Sequence, residues 1–118
     1  MANAIYDKGL EFAVNVLKLS KDLRRLGEYE LASQILRSGT SIGANVAEAK
    51  YAQSDKDFIS KMSIARKEAN ETMYWLTLLA KADILPKETI RPLAKEVIAI
   101  IRILTSIIKT MNEDESTG

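Results

Sequence analysis

From Ile5 to Leu26 the apolar and small positions step by four and three: Ile5, Gly9, Phe12, Val16, Leu19, Leu23 and Leu26. At 3.6 residues per turn that spacing keeps one stripe on one side, the signature of an amphipathic helix packed in a bundle. It predicts a first helix over about 7–26, ended by Gly27. Leu31, Ile35, Ser38, Ile42, Asn45, Ala49 and Ala52 predict a second over about 28–52. Ser54-Asp55-Lys56-Asp57 then supplies a serine N-cap with an acid three residues on, the start of a third helix. Its stripe is Phe58, Met62, Ala65, Ala69, Thr72, Leu76 and Leu79, and it stops near Ala82-Asp83. Pro86 opens a fourth along Ile90, Ala94, Val97, Ile101, Leu104, Ile108 and Met111, where Pro92 predicts irregular first turns. No segment alternates with period two, and the connections are short. The expectation is an all-α, antiparallel up-down-up-down four-helix bundle over 1–112, followed by a flexible acidic tail over 113–118.

Within the second helix, residues 37–49 are almost all small, with Gly39 and Gly43 four apart. Each glycine costs a helix interior about 1 kcal/mol against alanine. Close approach of another backbone explains that cost, so the segment reads as a packing surface. It is not a phosphate-cradling loop, because no strand precedes it and no Gly-Lys-Ser/Thr follows.

A turn about residue 54 sets the register of the second and third helices. Asn45 falls level with Ser63 to Ala65, and Arg37 with Glu71 to Met73. This predicts an Arg37–Glu71 ion pair and a buried polar network of Asn45, Ser63 and Glu48, with Ser38 beside it, since a buried amide needs partners. The alternative is that these side chains face solvent.

The fourth helix is apolar nearly all round: Ile98, Ile100, Ile103 and Ile107 lie off its main stripe. The first helix has a second line, Leu10, Val14 and Leu17. Faces of this kind imply burial on more than one side. Leu10, Val14, Ile98, Ile100, Ile103 and Ile107 are therefore candidates for a homo-oligomer interface.

Composition removes several chemistries. The chain of 118 residues has no cysteine and no histidine, which excludes thiol nucleophiles, most zinc sites and the usual general base. Ser38, Ser41 and Ser63 have no obvious base beside them, and no acidic cluster has metal-ligand spacing. No enzyme activity, metal or cofactor is expected. No basic segment followed by an apolar run opens the chain, and no apolar run approaches the length of a membrane span, so the expected location is the cytoplasm.

Net charge is +1, yet three of the 16 acids fall in 113–118, leaving a body with 17 basic and 13 acidic residues. Lys18, Lys21, Arg24 and Arg25 cluster near the end of the first helix; Lys50, Lys61, Arg66 and Lys67 add positive charge elsewhere. Such residues can neutralise phosphates in a salt-sensitive, sequence-tolerant way. Interleaved acids allow the other reading, a solvated face. Tyr74 and Trp75 lie in a run ending at Leu76, Leu78 and Leu79, which favours packing over base stacking.

The second and third helices carry S-x-x-x-N-x-A-E over Ser41 to Glu48, F-x-x-x-M-S-I-A over Phe58 to Ala65 and E-A-x-E-T-x-Y-W-L over Glu68 to Leu76. In these motifs the chain resembles the bacterial four-helix-bundle proteins encoded in intervening sequences of the 23S ribosomal RNA gene, a family also labelled ribosomal. The resemblance covers nearly the whole chain. It implies a small antiparallel bundle without known enzymatic activity. It also points to the related accessory protein (Avd) of diversity-generating retroelements, which implies a pentameric ring that binds nucleic acid and a partner protein. The expected function is thus a non-catalytic homo-oligomer binding RNA or DNA. The alternative is a self-assembling protein-interaction scaffold.

Overall fold

The computed structural model describes residues 2–117, with side chains described for 4–114. Four helices follow one another: α1 (Ala2–Arg25), α2 (Tyr29–Ala49), α3 (Asp55–Lys81) and α4 (Lys87–Thr117). Each packs on the next, and α4 returns to α1, so α1 and α3 occupy opposite corners of an antiparallel bundle measuring 52 × 21 × 20 Å.

The connections are set by local chemistry. Gly27, at φ 81°, takes the left-handed position after α1, and the Glu28 N–H donates to the Leu23 carbonyl at 2.9 Å. Asp83 does the same after α3 at φ 56°, with the Ile84 N–H on the Leu79 carbonyl at 3.1 Å. Both are the 6→1 closure that satisfies a helix's orphan carbonyls. At the start of α3 the Ser54 hydroxyl accepts from the Asp57 N–H at 3.1 Å. The Asp57 carboxylate in turn accepts from the Gln53 N–H at 3.2 Å, so the reciprocal contact falls one residue earlier than in a capping box.

Several ends differ from the sequence expectation. Helix α1 starts at Ala2 rather than near Asp7, and Leu26 lies beyond its end, exposed. Helix α2 stops at Ala49, three residues early. Helix α4 runs unbroken through Pro92. That proline's missing N–H leaves only the carbonyl of Glu88 unclaimed, in the exposed first turn where water serves it. The backbone of α4 continues to Thr117, through most of the acidic segment 113–118; Gly118 lies outside the described residues.

The core is a continuous column. Helix α1 gives Ile5, Phe12, Val16, Leu19 and Leu23; α2 gives Ala32, Ile35, Ile42, Val46 and Ala49. Helix α3 gives Met62, Ala65, Ala69, Leu76 and Leu79. On α4 the buried line is Ile90, Leu93, Val97, Ile100, Leu104 and Ile108, rotated from the predicted one toward Leu93 and Ile100, so that Ala94 and Ile101 are only half-buried.

Helices α1 and α2 approach most closely at glycine. A Cβ on Gly43 would lie 3.1 Å from the carbonyl carbon of Gly9, and one on Gly9 would lie 3.0 Å from the Cα of Gly43. One turn along, a Cβ on Gly39 would meet Val16 Cγ1 at 2.8 Å. The small residues of α2 thus serve as a seat for α1.

Candidate nucleic-acid interface

Contacts between α2 and α3 fix their register. The Thr72 hydroxyl meets the Ser38 hydroxyl at 2.9 Å, Arg37 pairs with Glu71, and Lys61 lies 3.8 Å from Glu48. The facing numbers total 108–110, as a turn about residue 54 requires. Arg37 is a fork: one guanidinium nitrogen reaches Glu71 and the other Glu68 at 2.9 Å. The Glu71 carboxylate also accepts from the Trp75 indole N–H at 3.1 Å. Tyr74 packs edge-on against Trp75 at 5.2 Å and is itself exposed.

The predicted Asn45–Ser63–Glu48 network does not form. Asn45 is half-buried, and its amide donates to the Ser41 carbonyl of its own helix at 2.8 Å. Ser63 is half-buried on the outer side of α3, and Glu48 is exposed and faces Lys61. The buried polar contact is Ser38 with Thr72, one stripe closer to the core. Glu71 stands level with Arg37, eleven residues from Glu48 along α2 and about 16 Å of helix rise away, so the two carboxylates do not converge. Among the described residues no three His, Cys, Asp or Glu side chains gather as for a metal ion.

The predicted oligomer interface is also redistributed. Ile100 is 2% exposed and belongs to the core; Ile103 and Ile107 are half-buried against it. Ile98, on the same seven-residue line as Arg91 and Thr105, sits at the α3 side of α4. Leu10, Val14 and Leu17 remain as an exposed apolar stripe on the outer side of α1, 54, 45 and 42% exposed.

Seven of the eight basic residues singled out in the sequence fall into two groups on opposite corners, and Lys50 stands apart from both. Lys18, Lys21, Arg24 and Arg25 are all exposed on the last two turns of α1, with Arg25 paired to Asp22 at 2.7 Å. Lys61, Arg66 and Lys67 are on α3, which makes no contact with α1. Lys50, at the end of α2, lies over the Tyr6 ring at 4.3 Å. These residues therefore form no single patch on one chain.

A second set of cations was not among the candidates read from the sequence. Lys87, Arg91, Lys95, Arg102 and Lys109 are all exposed on α4 and have no ion-pair partner among the described residues. Lys87 and Arg91 line a groove between α3 and α4 with Lys81 and Asp83, over a floor of Leu76 and Ile90. Lys109 lines another with Arg66. Their spacing of four, four, seven and seven was the available signal.

Fold and surface together define a small antiparallel helical bundle that carries its charged side chains on its outer faces. The chain belongs to the 23S rRNA-intervening sequence protein family, whose profile matches residues 1–106. Its fold is shared with a protein of unknown function from the S23 ribosomal protein family of Bacteroides thetaiotaomicron, at 49% identity and a TM-score of 0.87. That match covers 89% of this chain and 98% of the other. No curated protein matches the chain. Among the described residues no helix is long and apolar enough to cross a membrane.

Proposed function

We propose that this chain is a non-catalytic, homo-oligomeric module of the cytoplasm that binds RNA or DNA through its basic surface residues. The observation that carries the reading is the number of exposed cations without an ion pair. Lys18, Lys21 and Arg24 on α1 and the five cations of α4 are all free of carboxylate partners among the described residues. Exposed and unpaired, they are available to the phosphates of a polyanion. Family membership adds a genetic association with ribosomal RNA.

Self-association is supported by the exposed Leu10–Val14–Leu17 stripe, and a ring of five follows from the resemblance noted in the sequence. Repeating the body charge around a ring would strengthen a surface that is modest on one chain. The same stripe favours the second reading, a self-assembling scaffold that binds only protein.

Fluorescence anisotropy of labelled duplex RNA and duplex DNA, titrated at several salt concentrations, separates the two. Micromolar or tighter binding that weakens steadily with salt supports the nucleic-acid reading. No binding even at low salt leaves the scaffold.

A further inference from the structure

The face that α4 turns outward is set by how the helix is rotated in the bundle. With Val97, Ile100 and Leu104 turned into the core, the residues on the far side of the helix are fixed. At about 100° per residue, Arg91, Lys95, Arg102 and Lys109 fall within an arc of about 40° there, with Lys87 at its edge. From Lys87 to Lys109 the track is about 33 Å long at 1.5 Å per residue. Lys81 and Arg66, from α3, flank it where they share grooves with Lys87 and Lys109.

Residues 87–112 contain only two acids. Glu96 points the other way, toward α1, where both its carboxylate oxygens accept from the Asn15 amide at 2.9 and 3.1 Å. Glu88 is exposed in the first turn, and Asp83 sits in the groove with Lys81 and Lys87. Neither interrupts the track between Arg91 and Lys109, and Glu113 bounds it one turn further on, in the groove with Lys109 and Arg66. By contrast, the α1 group spans only two turns and has one of its four cations already paired.

We propose that the outer face of α4, from Lys87 to Lys109, is a linear track for the phosphodiester backbone of a nucleic-acid duplex. The inference rests on the nucleic-acid reading above and deepens it by assigning the surface. A duplex rather than a single strand fits for two reasons. The track is about as long as one turn of duplex, which is about 34–36 Å. And α4 contains no aromatic residue on which unpaired bases could stack, the usual platform for single strands. Charge contacts of this kind read backbone, so RNA and DNA duplexes are both candidate sources of the phosphates and sequence preference is weak.

The test is the salt dependence of binding of labelled duplex RNA, duplex DNA and a single strand of equal length to the full chain. It compares the wild type with Lys95→Gln/Arg102→Gln and with Lys8→Gln/Lys56→Gln, a pair that removes the same charge from α1 and α3. Circular dichroism confirms that each folds. Each lost phosphate contact lowers the slope of log K against log salt by about one. The α4 pair is expected to lower the slope by about two and to weaken duplex binding about tenfold or more near 0.1 M salt, with the control pair lowering it by less than one. The two duplex arms tell RNA from DNA as the preferred source. Equal losses for the two pairs, no loss for the α4 pair, or tighter binding of the single strand each overturn the assignment while leaving nucleic-acid binding intact. Failure of the wild type to bind any of the three removes both the assignment and the reading beneath it.

Discussion

Gly9 and Gly43 face each other across α1 and α2 so closely that a methyl group on either would come within 3.1 Å of the other's backbone. The atoms in the way are main chain of a packed helix, which cannot swing aside as a side chain does. Gly43→Ala therefore sets a helix-propensity gain of about 1 kcal/mol against an overpacking cost of about 1–3 kcal/mol. A net destabilisation of about 0.5–2 kcal/mol is expected in urea unfolding. A more stable Gly43→Ala protein would mean that α1 and α2 separate freely, and that the glycines are not there for close approach.

Gly39 behaves differently, because its obstacle is the Val16 side chain. Valine has one favoured rotamer in a helix and cannot turn away cheaply. Gly39→Ala should destabilise by about 1–3 kcal/mol, and Val16→Ala alone should cost a cavity. The double variant should be more stable than the two losses predict, by about 1 kcal/mol, because the new methyl fills part of the cavity. Strict additivity in a double-mutant cycle would count against a direct contact.

Ser38 and Thr72 are the buried polar pair of the α2–α3 seam, both fully buried. The Thr72 hydroxyl also reaches the Glu68 carbonyl at 2.8 Å, whereas Ser38 has only the Ile35 carbonyl at 3.4 Å besides Thr72. Thr72→Val leaves the serine poorly satisfied and should cost about 1–3 kcal/mol. Ser38→Ala leaves threonine its own-helix carbonyl and should cost less. Removing both hydroxyls should recover stability relative to Thr72→Val alone. Chemical denaturation of the three variants checks the order, and a double variant weaker than Thr72→Val would refute it.

How much of this was legible beforehand depended on whether one stripe stood out. The α2–α3 register followed from the Ser54 cap alone, because a short turn leaves the two helices no freedom to slide; Arg37 and Glu71 then had to meet. The close approach at Gly43 was legible as a cost needing a partner, but Gly9 as that partner depends on how α1 crosses α2. On α4 the apolar residues at 97, 98, 100, 101, 103, 104, 107 and 108 spread over about 220° of the helix, so periodicity alone left several rotations open. The choice of Ile101 over Ile100 followed, and with it the misplacement of Ile100 in an interface. The spacing of the α4 cations puts them on one face, but only the buried side shows that this face is the outer one. Asn45 sits at the margin of its stripe, where a short amide can reach the carbonyl four residues back, so it needs no partner on α3.

The Arg37–Glu71–Trp75 chain offers a spectroscopic readout, since Trp75 is the single tryptophan. Arg37 is about half exposed, so its ion pairs contribute at most about 1 kcal/mol. Glu71→Ala removes the indole's acceptor and hands that N–H to water, so the fluorescence emission should move to longer wavelength. Arg37→Ala leaves the indole bond in place and should move it far less, at similar stability. Identical spectra for the two variants would show that Glu71 does not hold Trp75 in solution.

The outer stripe of α1 is the surface on which the proposed self-association would turn. Leu10, Val14 and Leu17 occupy successive turns and contribute little to the core of one chain, so charge there should not unfold the bundle. Leu10→Glu/Val14→Glu is expected to keep its helical circular dichroism and thermal midpoint per subunit while sedimenting as a smaller species than the wild type. In analytical ultracentrifugation at micromolar concentration the wild type should exceed 13.1 kDa several-fold. Because a ring would bring copies of the α4 track side by side, the same variant should also bind duplex more weakly at equal chain concentration, with its α4 cations intact. A wild type that sediments as a single chain would end the case for the α1 stripe as an interface. A monomeric variant that binds as tightly as the wild type would show that one α4 face suffices.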